Sequence, residues 1–360
     1  MSIPTTMKAM VTMGHGGLEQ MVWHEDWPVP EPSVGEVLIR VGACGLNNTD
    51  VNTRSGWYSK TVTEATTGGA FAEVDEADPT WGGAPISFPR IQGADVCGGI
   101  VAVGAGVDEA RIGERVITDN WLRDPEDPGN MDKTGYFGSE RDGGFAEYTT
   151  IPAQNAVAIN SDLSDAELAT FSCAYSTAEG MLTRAQVTDS DTVLVPGASG
   201  GVGGALVQLA KLRGARVIAM AAETKHDQVA RLGTDMILPR APDSLRQALG
   251  DEQVTVVADV VGGSAWMTLI DILERGGRYT CSGAIAGPMV TLDLRTFYLR
   301  DLTFTGSTVI PPEITQNLVR YIEEGAVKPA LAATYPLAEL REAQAAFISK
   351  KHTGNIVVTP

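Results

Sequence analysis

The sequence predicts an α/β protein in which a doubly wound parallel sheet is joined to a largely antiparallel, barrel-like unit. Three observations lead there. The first third of the chain consists of short β-branched runs punctuated by glycines. Past residue 160, apolar strands alternate with helical stretches. A glycine-rich turn stands between the first of those strands and the helix that follows it.

The elements follow in order. Residues 36–45 (EVLIRVGACG) alternate and stop at a glycine, as a strand does. Residues 98–107 (GGIVAVGAGV) form another, with glycines marking turns or close backbone approaches. ERVITDN and GFAEYTTIP continue in that style. From residue 161 the run SDLSDAELATFSCAYSTAEGMLTRA reads as one helix. Ser164 caps it, and Glu167 three residues on completes a capping box. VTVVADVVGG, GGRYTCSGA and DLTFTGST supply further strands of buried type. The tail holds two helical stretches and ends in the strand-like NIVVTP. Residues 60–87 fit neither texture. Their glycines (68, 69, 82, 83) and acids (64, 73, 75, 76, 78) read as a solvated surface excursion, or alternatively as a flap over an active cleft.

Composition narrows the function. Of 360 residues, 27 are Lys or Arg and 45 are Asp or Glu, for a net charge of −18. Nucleic acid and anionic membranes are excluded as main partners, because their phosphates would be repelled. No apolar run reaches the ~20 residues of a bilayer span, and the start lacks the apolar stretch and cleavage site of a signal peptide. Cys44, Cys97, Cys173 and Cys281 are widely scattered, which fits reduced thiols in a cytoplasm.

The strongest local signal is VLVPGASGGVGG at residues 193–204. It follows an apolar strand, opens a helix and precedes a second strand, the context a dinucleotide-binding turn requires. Ser199, Gly200, Gly201 and Val202 are expected at the cofactor. The two glycines let the backbone approach a pyrophosphate at the helix N-terminus, and Gly203 permits close helix–strand packing. The second strand ends at Ala221 and Ala222, where a form selective for NAD carries an acid on the ribose. Glu223 lies one or two residues beyond that position, and Thr224 and Lys225 after it can take a 2′-phosphate, which favours NADPH over NADH. Ser282, Gly283 and Ala284, after a later strand, complete the expected cofactor set.

Several segments now carry a family likeness: Met7-Lys-Ala-Met10, residues 32–39, Cys44-Gly-Leu-Asn-Asn-Thr-Asp50, Arg54-Ser-Gly56, Gly93-Ala-Asp95, residues 143–148, the glycine-rich turn and Gly354-Asn-Ile-Val357. With them the chain resembles the medium-chain dehydrogenase/reductase superfamily over nearly its whole length. It looks closest to the zinc-independent quinone oxidoreductase, zeta-crystallin-like branch. The resemblance implies a GroES-like catalytic domain (residues 1–155 and 300–360) interrupted by a Rossmann domain (156–299), with the cofactor between them.

Zinc alcohol dehydrogenases of this superfamily hold catalytic zinc with Cys, His and Cys. Those positions carry Asn47, Ala94 and Cys173 here, and residues 119–141, in place of the structural-zinc lobe, hold no cysteine. Both zincs are therefore expected to be absent, since a catalytic zinc takes about three protein ligands. The one alternative rebuilds a site from Cys44, Cys97, Cys173 and Asp95.

Without zinc, the resemblance assigns catalysis to Asn47, Thr49 and Cys173. Asn47 would donate to a substrate carbonyl or touch the nicotinamide, Thr49 would bind the nicotinamide ribose or pass a proton, Cys173 would contact the substrate, and Thr177 would hold the carboxamide. Asp50 reads as an exposed structural hydrogen-bonder titrating near ~4. The Tyr that this branch often carries two residues later is Asn52 here, which leaves the proton donor unassigned. Trp57, Tyr58, Trp81, Phe88, Trp121 and Tyr136 are candidates for a substrate pocket.

The expected function is transfer of hydride from NADPH to a quinone, enone or related carbonyl compound. The alternatives are an alcohol dehydrogenase with non-standard carbonyl activation, and a nucleotide-binding redox sensor with little catalysis. Residues 301–307 read as a buried strand late in the parallel sheet, and the resemblance implies that it lies at the sheet edge and pairs with a second copy, giving a homodimer.

Overall fold

The computed structural model describes every residue except 1, 2, 72, 73, 76, 79, 80 and 82. Glu73, Glu76 and Gly82 of the 60–87 excursion thus lie outside the described residues. Six parallel strands form one sheet, in the spatial order Met236–Pro239, Arg216–Ala221, Thr192–Val195, Val254–Asp259, Leu273–Cys281 and Thr303–Gly306. The order reverses at Thr192–Val195, so the crevice beyond the ends of that strand and Val254–Asp259 is the natural ligand site. Val193, Leu194, Val195, Val256 and Val257 are wholly buried, as parallel strands covered on both faces must be.

The second sheet has seven strands and is largely antiparallel. Its order is Leu331–Pro336, Asn355–Thr359, Glu36–Gly45, Asp95–Val103, Arg115–Thr118 and Ala156–Ala158, with Tyr148–Pro152 also paired to Glu36–Gly45. The chain thus leaves this sheet, builds the parallel one and returns.

The crossings fall elsewhere than residues 155 and 300. Ala156–Ala158 still pairs with Arg115–Thr118. Thr303–Gly306 pairs with Leu273–Cys281, and the helix Pro312–Glu323 packs on the helix Ser172–Arg184. The parallel sheet completes its sixth strand and its covering helix before the chain turns back. The strand Thr303–Gly306 is also only partly covered, not of buried type.

The single helix expected from residue 161 is two, Asp165–Leu168 and Ser172–Arg184. Its capping box is present: Glu167 N donates to Ser164 Oγ (3.3 Å) and Ser164 N to Glu167 Oε2 (2.8 Å). At the break, the Thr170 carbonyl accepts from Asn355 Nδ2 (2.9 Å) instead of continuing the helix. Helix Ser172–Arg184 supplies the shared core. Phe171, Tyr175, Ala178 and Met181 join Ile117 and Trp121 of the first unit to Val195 and Leu206 of the second. Among the described residues no helix is long and apolar enough to cross a membrane.

Candidate active site

A cleft of about 450 Å3 is lined by residues of both units. Its floor is the dinucleotide-binding turn. Gly197 makes the turn with φ +67°, and Gly200 caps the helix Gly201–Leu212. A Cβ on Gly203 would run into the Gly197 carbonyl oxygen, so only glycine lets this helix approach its strand so closely. The turn is clasped from the returning chain: Gly354 N donates to the Ser199 carbonyl (2.9 Å), and Gly200 bridges Gly354.

Asn47 is the N-cap of the helix Asn48–Ser55. Its backbone N–H donates to Asp50 Oδ2 (2.7 Å), which fixes the start of the helix and aims Asn47 and Thr49 into the cleft. The Asn47 amide nitrogen is buried beside the Asp95 carboxyl, which it helps to hold down, and makes no hydrogen bond of full geometry. Asp50 is itself buried, not exposed as expected, and burial pushes its carboxyl up to about 7.

Asp95 follows Ala94, the position that the resemblance gives to a zinc-ligating histidine. Its Oδ1 accepts from Cys173 N (2.9 Å) and Asn120 Nδ2 (2.8 Å), and burial pushes the carboxyl up to about 6. Burial also pushes the Cys173 thiol far up, which keeps it protonated. With Asn47 and Ala94 at the other two positions, Cys173 alone supplies a side chain of the kind that a catalytic zinc takes, short of the about three it needs. The alternative site does not assemble. Cys97 Sγ donates to Asp165 (3.4 Å), Cys44 is packed in the core of the first unit, and neither lines the cleft. Among the described residues, no three His, Cys, Asp or Glu side chains stand together as a metal site.

Most expected site residues meet here. Asn47, Thr49, Cys173, Thr177, Gly200, Gly201, Val202, Gly203, Ser282, Gly283 and Ala284 all line the cleft. Three do not. The Ser199 carbonyl is used in the clasp. Thr224 and Lys225 stand outside the lining, and Lys225 Nζ donates to the carbonyls of Lys350 (2.7 Å) and His352 (2.5 Å). The Arg240 cation lies close enough to lower the Lys225 pKa further, after burial, and the sequence reading missed it.

The aromatic candidates separate as well. Trp57, Tyr58, Trp81, Trp121 and Tyr136 line the cleft. Trp81 packs edge-on to Tyr58 (5.1 Å between centroids) and Trp121 (5.8 Å). Phe88 stands apart, against His15. Trp81 belongs to the 60–87 excursion, and Thr66 N reaches the Ile285 carbonyl of the other unit (3.0 Å). The described part of the excursion thus reaches the cleft through Trp81, as a flap would, while many of its other residues are exposed, as a solvated excursion would leave them. The Tyr58 ring brings its hydroxyl beside Asn52 and Thr49, and burial pushes that hydroxyl up to about 12. A hydroxyl thus stands near the position where the branch's Tyr is missing.

Lys350 and His352 also line the cleft, and no sequence signal marked them. They follow a helix, where a lysine looks like ordinary solvated surface. Burial, then Lys350 and Lys225, pull His352 down to about 4, so its ring is neutral.

Comparison with known proteins fits this geometry. Residues 33–161 match the family described as "Alcohol dehydrogenase GroES-like domain", and residues 201–324 match "Zinc-binding dehydrogenase". A solved structure assigned as an alcohol dehydrogenase from Sinorhizobium meliloti 1021 is 46% identical, with 99% of this chain and 98% of that one covered and a TM-score of 0.90. Acryloyl-coenzyme A reductase of Metallosphaera sedula is 26% identical, over 98% of this chain and all of the relative. The NADPH-dependent alkenal/one oxidoreductase of Arabidopsis thaliana is 26% identical, over all of this chain and 81% of the relative. Quinone oxidoreductases, the branch that the sequence resembles, are among the relatives too. The chain belongs to the medium-chain dehydrogenase/reductase superfamily and is an oxidoreductase with a GroES-like and a Rossmann unit.

Proposed function

We propose that the chain is an NADPH-dependent reductase of enones, quinones or related conjugated carbonyl compounds that works without catalytic zinc. The observation that carries this reading is the buried amide of Asn47, which makes no hydrogen bond of full geometry, stands where the resemblance puts a metal ligand and opens on the same cleft as Thr49 and Tyr58. A donor without a partner is costly when buried and is satisfied by an acceptor such as a substrate carbonyl.

NADPH, when bound, would supply the hydride for the electron-poor carbon conjugated to that carbonyl. Asn47 orients the carbonyl oxygen and stabilises the negative charge that gathers on it. The Tyr58 hydroxyl, beside Thr49 and Asn52, delivers the proton that completes the reduction. Trp57, Trp81 and Trp121 wall the cleft with apolar surface suited to a planar substrate. Lys225 with Arg240, beyond strand ends that carry no acid, supports a 2′-phosphate and hence NADPH. None of the four cysteines is paired with another, which accords with a cytoplasmic enzyme.

The test is NADPH oxidation by purified protein with a quinone, an enone and a saturated aldehyde, each with product analysis. We expect turnover of the enone or quinone and none of the aldehyde. Turnover confined to aldehydes and alcohols would make the chain an alcohol dehydrogenase with unusual carbonyl activation. Tight NADPH binding with no turnover would favour a redox sensor.

A further inference from the structure

The chain carries 45 acidic residues, yet among the described residues none lines the cleft. The one Lys or Arg that lines it is Lys350. Although the residue is exposed along the open cleft, its ammonium is turned inward. Nζ donates to Asn48 Oδ1 (2.8 Å) and lies 3.7 Å from the centre of the Phe347 ring. Both partners are neutral, and no carboxylate among the described residues pairs with it. Lys225, a second cation, donates to the carbonyl of Lys350 itself. Burial first and then Lys225 pull the Lys350 ammonium down to about 7. These surroundings disfavour a cation unless an anion joins it.

Two further facts place that anion. Lys350 has φ +53°, a left-handed conformation that follows a helix and is cheapest for glycine. The loop it opens is clasped to the dinucleotide-binding turn through Gly354 and Ser199. At that turn the helix Gly201–Leu212 presents its N-terminus, the positive end of its dipole.

We propose that Lys350 is a phosphate anchor, its ammonium taking an oxygen of the cofactor's pyrophosphate opposite Gly200 and Gly201. Asn48 and Phe347 hold the ammonium in place before the anion arrives. Lys225 braces the loop from behind through the carbonyls of Lys350 and His352. The 2′-phosphate belongs elsewhere, near Lys225 and Arg240, where strands Arg216–Ala221 and Met236–Pro239 end side by side. The proposal rests on the chain binding a pyridine dinucleotide, and it concerns the part that NADH and NADPH share.

The experiment titrates NADH and NADPH separately into wild-type protein, Lys350→Gly and Arg240→Ala, following nicotinamide fluorescence. Lys350→Gly removes the charge at a position whose backbone suits glycine, so the thermal midpoint of the free protein should hold. We expect it to weaken both nucleotides by the same factor, about 10-fold or more, the loss of one charge-assisted hydrogen bond. Arg240→Ala should weaken NADPH alone. Unchanged affinities for Lys350→Gly, or loss of NADPH binding only, would overturn the assignment. Should Lys350→Gly fail to fold, Lys350→Asn, which also tolerates a left-handed backbone, is read by the same criteria. Wild-type protein that binds NADH but not NADPH removes the NADPH reading, and the NADH titration still decides Lys350. Binding of neither would reject both.

Discussion

Asp50 is 4% exposed, and its carboxyl titrates near 7 in the folded chain against 3.8 for the free side chain. Burial is the main cause, and nearby Asp95, itself pushed up to about 6, adds to it. Between about pH 4 and pH 7 the folded chain therefore holds protons that the unfolded chain has lost, and stability falls as the pH rises. Asp50→Asn removes one of these protons while keeping an oxygen that can accept from Asn47 N. The variant should gain on wild type by about 4 kcal/mol between pH 4 and pH 8, measured by urea unfolding at each pH. Parallel stability curves would contradict this. Tyr58→Phe tests the other residue that gained a role from the structure. Its kcat for the enone should fall about 100-fold with the NADPH Kd unchanged; an unaltered kcat would return the proton donor to the unassigned. The sequence had brought Asn47, Thr49, Cys173 and most of the glycine-rich turn to one site, because their spacing matches a family pattern. It misjudged Asp50 because the helix Asn48–Ser55 is polar almost throughout, yet six of its eight residues are buried, and no local pattern announces that.

At the scale of elements, Arg54 decides how the excursion is held. It is fully buried and donates to the carbonyls of Gly16 (2.6 Å) and Gly68 (3.1 Å) and to Gln344 Oε1 (3.2 Å). One guanidinium thus joins the amino-terminal loop, the excursion and the helix Leu340–Ile348. Arg54→Met would leave three buried oxygens without that donor. We expect a loss of about 3 kcal/mol in unfolding free energy and faster proteolysis within residues 60–87; cleavage at the wild-type rate would show that the excursion is anchored by other contacts. The sequence showed the Arg54-Ser-Gly56 motif without this purpose, because its partners lie up to 290 positions away. For the same reason the excursion looked solvated: its acids and glycines are local, whereas the contacts of Thr66 and Trp81 across the cleft are not.

Across the whole molecule, the strand Thr303–Gly306 lies at the edge of the parallel sheet, with one side open. Beside it in sequence, Leu294 (64% exposed), Tyr298 (60%) and Leu299 (56%) present apolar surface. An open edge next to such a patch is a site for self-association, and a two-fold partner would cover both. We therefore predict a homodimer. Phe304 is a poor probe of it, because its ring packs within its own chain against Trp266, Tyr279 and Phe297. Leu294→Lys with Tyr298→Lys should instead give a folded monomer by light scattering. A wild-type monomer at micromolar concentration would reject the dimer. The doubly wound order of the sheet was legible because buried parallel strands and the glycine-rich turn have strong local signatures. The points where the chain crosses between units were not, because they depend on which strand pairs with which.

The central claim, reduction without zinc, is tested most directly by assaying enone reduction after exhaustive dialysis against a chelator, with metal content measured on the same sample. The account predicts well under one zinc per chain and full activity, with no gain when zinc is restored. About one tightly held zinc per chain, with activity lost on its removal and regained on its return, would contradict it.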